Sequence, residues 1–177
     1  MSKLFRILLT AAVMAAAVAI YAGIASGKGG TTKGKSHPQA HRHGAPLLNE
    51  SLAPSQPTDP SFHGVNPGQV PWVLSRGNVR LKRDGKFRLS LRGLVIPPPT
   101  GNNTPGPVTT VSASLYCGAD SDTTAVDTTP AVPITSSGDA RIRDDSFATP
   151  STCLAPVILL HPNGNMAAYI AVDGWRF

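Results

Sequence analysis

CLAPVILLHPNGNMAAYIAVDGWRF, residues 153–177, is the stretch whose reading decides the fold. Residues 157–160 form one short apolar run and residues 166–172 form another. Asn163-Gly164 lies between them. A type I′ turn needs positive φ at both central residues, so Asn-Gly between apolar runs is a strong hairpin signal. Each run is apolar on successive positions, as in strands covered on both faces. The expectation is a hairpin inside a β domain.

The rest of the chain agrees with an all-β reading. Among 177 residues there are 17 Gly and 17 Pro. Helical periodicity is absent beyond residue 25, and β-branched and aromatic residues cluster in short runs between turn formers. This pattern predicts a Greek-key-type, immunoglobulin-like β-sandwich of seven or eight strands over residues 68–177.

Residues 77–94 show the cleanest alternation. Val79 and Leu81 alternate with Arg80 and Lys82, and Phe87, Leu89 and Leu91 alternate with Arg88, Ser90 and Arg92. A two-residue loop at Asp84-Gly85 would oppose Leu81 to Arg88 and mix the faces. A three-residue loop, Arg83-Asp84-Gly85, opposes Leu81 to Phe87 and Val79 to Leu89. Opposed residues share a face, so the three-residue loop is predicted, with Gly85 left-handed. The outer face then carries Arg80, Lys82, Lys86, Arg88 and Arg92. Either this is a solvated face or it serves an anionic partner. No aromatic residues interleave with the charges, which argues against nucleic acid.

Charge is unevenly distributed. Residues 1–67 hold six Lys/Arg and two acids, residues 76–92 hold seven and one, and residues 93–177 hold three and seven, giving +4, +6 and −4. The body is thus a basic hairpin on an acidic remainder. This points to internal complementarity or to an anionic polymer or membrane surface.

Further strands are expected at residues 70–74, where Pro71 suggests an edge, at 108–117 and at 139–147. In the second, Val111, Ala113, Leu115 and Cys117 share the inward parity; in the third, Ala140 and Ile142 point inward and Arg141 and Arg143 outward. Residues 97–107, PPPTGNNTPGP, must be a long loop. Asn102-Asn103-Thr104 and Asn49-Glu50-Ser51 are formal glycosylation sequons.

At the N-terminus, Lys3 and Arg6 precede an uncharged run over residues 7–25. This is the layout of a signal peptide over residues 1–25, cleaved near Ala25 or retained as a helical anchor. Both outcomes place the remainder in a secreted or extracytoplasmic setting. Neither a lipid-accepting Cys nor an Arg-Arg pair is present near it. Residues 26–67 are poor in large apolar side chains and read as a disordered linker. Within it, GGTTKGKS at 29–36 matches a phosphate-binding loop by letter. That motif needs a strand before it and a helix after it, so no nucleotide is expected. His37, His41 and His43 have a spacing that could bind Zn²⁺, but no carboxylate or Cys lies near, and a solvated tail is the reading.

Cys117 and Cys153 are the two cysteines. In an exported chain an even count argues for a disulfide; no C-x-x-C spacing supports a metal pair or redox thiol. Asp120, Asp122 and Asp127 raise Ca²⁺-dependent assembly, although the twelve-residue Ca²⁺ loop pattern is missing. No catalytic motif, metal set or cofactor motif is found. His161, the only histidine after residue 63, could anchor an unrecognised enzyme site with nearby Ser or Asp, but reads more simply as a hydrogen-bonding cap.

Three stretches carry a resemblance: RDGKFRLSLRGLV (83–95), TPGPVTTVSASLYC (104–117) and CLAPVILLHPNGNMAAYIAV (153–172). They resemble a group of uncharacterised exported proteins of actinobacteria. The resemblance implies a bacterial envelope or secreted setting and carries no activity. The functional expectation is a non-catalytic structural or adhesive module whose partner is an anionic cell-envelope polymer or another envelope protein.

Overall fold

The computed structural model describes residues 46–174. The expected signal peptide and linker residues 26–45 lie outside them. The described residues contain no helix. They form eleven strands: β1 (Pro46–Pro54), β2 (Asn66–Pro67), β3 (Arg76–Lys82), β4 (Phe87–Arg92), β5 (Thr110–Tyr116), β6 (Asp127–Thr128), β7 (Val132–Pro133), β8 (Ala140–Asp144), β9 (Val157–Pro162), β10 (Ala168–Tyr169) and β11 (Ala171–Asp173). Four are only two residues long, so seven are substantial.

Nine strands make one antiparallel sheet, in the order β6-β5-β9-β11-β1-β3-β4-β8, with β7 also paired to β5. β2 and β10 form a separate parallel pair. The sheet curls, so that residues from both ends meet in one core: Val79, Leu81, Phe87, Leu89 and Ile142 pack in the same cluster as Val111, Leu115, Ile158 and Leu160. Each such side chain stabilises the fold by about 1.5–3 kcal/mol through burial.

The β3–β4 hairpin adopts the expected register. Leu81 opposes Phe87, Arg80 opposes Arg88 and Val79 opposes Leu89. The Gly85 N–H donates to the Lys82 carbonyl (3.1 Å), and the Lys82 N–H to the Lys86 carbonyl (3.1 Å). Gly85 has φ +80°, and a Cβ there would lie 2.7 Å from the Phe147 carbonyl oxygen. Two independent constraints therefore require glycine. β8 also follows expectation, with Ala140 and Ile142 buried and Arg141 and Arg143 exposed.

Three expectations are corrected, and one feature was not foreseen. Residues 46–67 are not linker: β1 is a central strand, pairing with β3 along one part and β11 along another. Leu48, Leu52 and Ala53 are buried there. Average polarity misleads in this segment, because its few apolar residues fall where two neighbouring strands satisfy the backbone. Residues 70–74 form no strand. Val73 makes an isolated bridge to Val95, and Trp72 is buried from an irregular segment. The C-terminal hairpin keeps its turn, with Asn163 at φ 49° and Gly164 at φ 70°, closed by Asn165 N–H to the Pro162 carbonyl at 2.8 Å. Its second arm, however, leaves the sheet. Ala168 and Tyr169 pair with Asn66 and Pro67, and only Ala171 and Val172 return to oppose Leu160 and Leu159. Finally, the polar parity of β5 is covered: Ser112, Ser114 and Tyr116 are all buried.

That cover is a second layer. Val65, Tyr116, Leu159 and Tyr169 form a separate apolar cluster, with Phe62 packed against it. The Tyr169 hydroxyl donates to the Pro60 carbonyl (2.8 Å). His63 stacks on Tyr116 with centroids 5.0 Å apart.

Candidate functional site

Alternation in β3, β4 and β8 places every second side chain outside, and pairing sorts these side chains into rows. Arg80 opposes Arg88, and Arg88 opposes Arg143 on its other side, so three arginines cross three strands in one line. The next row is Asn78, Ser90 and Arg141, and beyond it Arg76 opposes Arg92. Lys82 and Lys86 lie at the turn end. From Lys82 to Arg76 the strip runs roughly 20 Å, at about 3.3 Å per residue. Of the five basic residues expected on this face, Arg80 and Arg88 share the central row, Lys82 and Lys86 flank it, and Arg92 sits at the far end. Three others join them. Arg76 lies within the basic run itself. Arg141 and Arg143 come from β8, and no sequence signal pairs β8 with β4 across the intervening 47 residues (93–139).

Like charges opposed across strands are mildly unfavourable. Few acids offset them. Among the described residues the ion pairs are Lys86–Asp84 at 3.1 Å and Arg88–Asp145 at 2.5 Å. The Lys86 ammonium holds the Asp84 carboxyl below its ordinary value. Arg88 is further tied down by donating to the carbonyls of Phe87 (2.7 Å) and Asp144 (3.2 Å). Arg80 and Arg143, on either side of it, make no ion pair among the described residues. The row thus combines one guanidinium fixed in place with two open ones, in a fork geometry that suits phosphate, sulfate or carboxylate.

Cys117 and Cys153 form a disulfide, with Cα atoms 5.1 Å apart. It joins the end of β5 to the approach to β9, whose last paired residues are Tyr116 and Val157. A cross-link of this kind is compatible with an extracytoplasmic protein.

The remaining candidates are structural in their contacts. Asp120 accepts the His63 N–H (2.6 Å) and Asp122 the Ala119 N–H (3.2 Å), while Asp127 accepts from Thr128 (2.8 Å) and Ala148 (2.6 Å). Each pins loop backbone, and no three His, Cys, Asp or Glu side chains converge among the described residues. His161 is buried completely beside Ser112, its cross-strand partner. Its Nδ1–H donates to the Ala168 carbonyl (2.8 Å), and burial lowers its pKa. It is held as a neutral imidazole that fastens the departing arm of the hairpin.

The phosphate-loop look-alike and the histidines at 37, 41 and 43 lie outside the described residues. No family model matches the chain, and neither a curated protein nor a solved structure is significantly similar to it.

Proposed function

We propose that the chain is a non-catalytic, secreted or envelope-associated module, a Greek-key, immunoglobulin-like sandwich in its finer classification, that adheres to an anionic cell-envelope polymer. The observation that carries this reading is the Arg80–Arg88–Arg143 row, extended by Lys82, Lys86, Arg141, Arg76 and Arg92 on one outer face. A cationic strip on a rigid sheet presents repeated charge to a repeating anion. Its affinity comes largely from displaced counterions, so salt must weaken it. The unpaired charges raise the cost of the free state only slightly, because solvent screens them.

The test is titration of the full chain with long-chain polyphosphate and with dextran sulfate, using neutral dextran as control. Binding is expected to fall about tenfold or more between about 50 and 200 mM salt. Arg80→Glu with Arg143→Glu is expected to abolish it while leaving the fold intact, since neither residue is ion-paired among the described residues. Binding that ignores both salt and charge reversal overturns the proposal. Retention only by an acidic protein would point to another envelope protein instead.

A further inference from the structure

A groove of about 830 Å³ opens where three segments meet, around residues 66–72, 96–108 and 162–170. It shares no residue with the basic face, and among the described residues no charged one lines it. The buried apolar side chains along it include Trp72, Ile96 and Ile170. Its size is that of a small-molecule site.

Three asparagine amides on its rim share one arrangement. Asn66 Oδ1 accepts from the Ser61 hydroxyl (2.7 Å), Asn102 Oδ1 from the Thr104 hydroxyl (2.6 Å) and Asn165 Oδ1 from the Ala167 N–H (3.1 Å). In all three the oxygen accepts a hydrogen bond while the amide N–H groups make none among the described residues, which leaves them open to an outside partner. A fourth donor is buried. The Trp72 indole N–H has no hydrogen-bond partner among the described residues, although Trp72 is 2% exposed. The Ser55 hydroxyl is buried and unpartnered beside it. Both converge on Gly68 in the groove wall, where a Cβ would stand 3.0 Å from the indole nitrogen and 3.2 Å from the hydroxyl oxygen. Buried polar atoms are rarely left unpaired, so these ask for a partner.

We infer that the groove is a binding site for an uncharged, mainly apolar small molecule whose carbonyl or ether oxygens accept from Trp72 and the amide rim. An anion would meet the same donors but would be desolvated with no cation opposite it, which disfavours it.

The test uses Nile red, a neutral dye bearing a carbonyl, titrated into the full chain. Saturable one-to-one binding is expected. Ala167→Glu, at an exposed lining position, is expected to weaken it about tenfold or more by placing a carboxylate in the groove. Trp72→Phe, which keeps a ring and removes the N–H, is expected to weaken it about fivefold. Polyphosphate binding should be unchanged in Ala167→Glu, which separates this site from the basic face. Non-saturable uptake, equal affinity in Ala167→Glu, or equally tight binding of the anionic dye anilinonaphthalene sulfonate would overturn the inference.

Discussion

The two halves of the curled sheet bury their side chains in different ways. In β3, β4 and β8 one face is buried and the other meets solvent, so Leu81, Leu89 and Ile142 alternate with Arg80, Arg88 and Arg143. In β5 and β9 both faces are covered, and Ile158, Leu159, Leu160 and His161 are all fully buried in succession. The cover comes from residues 62–65 and from the arm of the hairpin that leaves the sheet. Two carboxylates register the contrast. Asp84, at the exposed hairpin turn, is pulled down by Lys86, whereas burial pushes Asp173, on β11, up to about 6. The lesson is that a single-faced sheet is held by local alternation, while a double-faced one depends on segments distant in sequence.

Removing the long-range tie should produce the largest effect. Cys117→Ser with Cys153→Ser opens a loop of 36 residues. The chain-entropy argument gives a loss of about 4 kcal/mol, read from the urea midpoint. A loss below about 1 kcal/mol would mean that strand pairing and the covering layer suffice to hold β5 to β9.

Next comes the covering layer itself. Leu159→Ala should cost about 3 kcal/mol in the same assay, because Leu159 packs against Tyr169 and Val65 outside the main core. The matching change on the single-faced half, Arg141→Ala, should stay within about 0.5 kcal/mol. Equal costs would erase the distinction between the halves.

Asp173 gives an effect of about the same size as Leu159, and it depends on pH. Folding raises this carboxyl from 3.8 to about 6, so the folded state takes up its proton more readily than the unfolded chain. The stability it confers is complete below about pH 4 and is lost as pH rises through 6. Asp173→Asn keeps an oxygen for the Ile158 N–H, which donates to Asp173 at 2.7 Å. The variant should gain about 3 kcal/mol at pH 7 and lose the slope between pH 4 and 6. An unchanged slope in thermal melts would show that the carboxylate is solvated and the second layer open there.

Legibility followed the same division. The β3–β4 register, the left-handed Gly85, the outward arginines and the Asn163-Gly164 turn were all readable, because each depends on neighbours within a few residues. β1 was missed. Its residues Asn49, Glu50 and Ser51 look like linker, and only β3 and β11 on either side make it a strand. The strand expected at 70–74 failed for the opposite reason: its apolar residues serve packing through Trp72, with the backbone bonded irregularly to Ser55 and Val95. Two of the three strands of the basic face were legible as a run. Its third strand was not, because the ladder that sets Arg143 beside Arg88 spans 54 residues of intervening chain. The groove was invisible as well, since three segments distant in sequence build it.

Periodicity and turn chemistry alone determined the all-β class, the basic hairpin with its register, the tight turn near the C-terminus and the suitability of the two cysteines for a bond. Only the tertiary structure decided the strand order, the role of residues 46–67, the second apolar layer and the company that Arg88 and Trp72 keep. The reason is physical: alternation and φ preferences act over a few residues, whereas which strand lies beside which is chosen by the total apolar surface the closed sheet can bury.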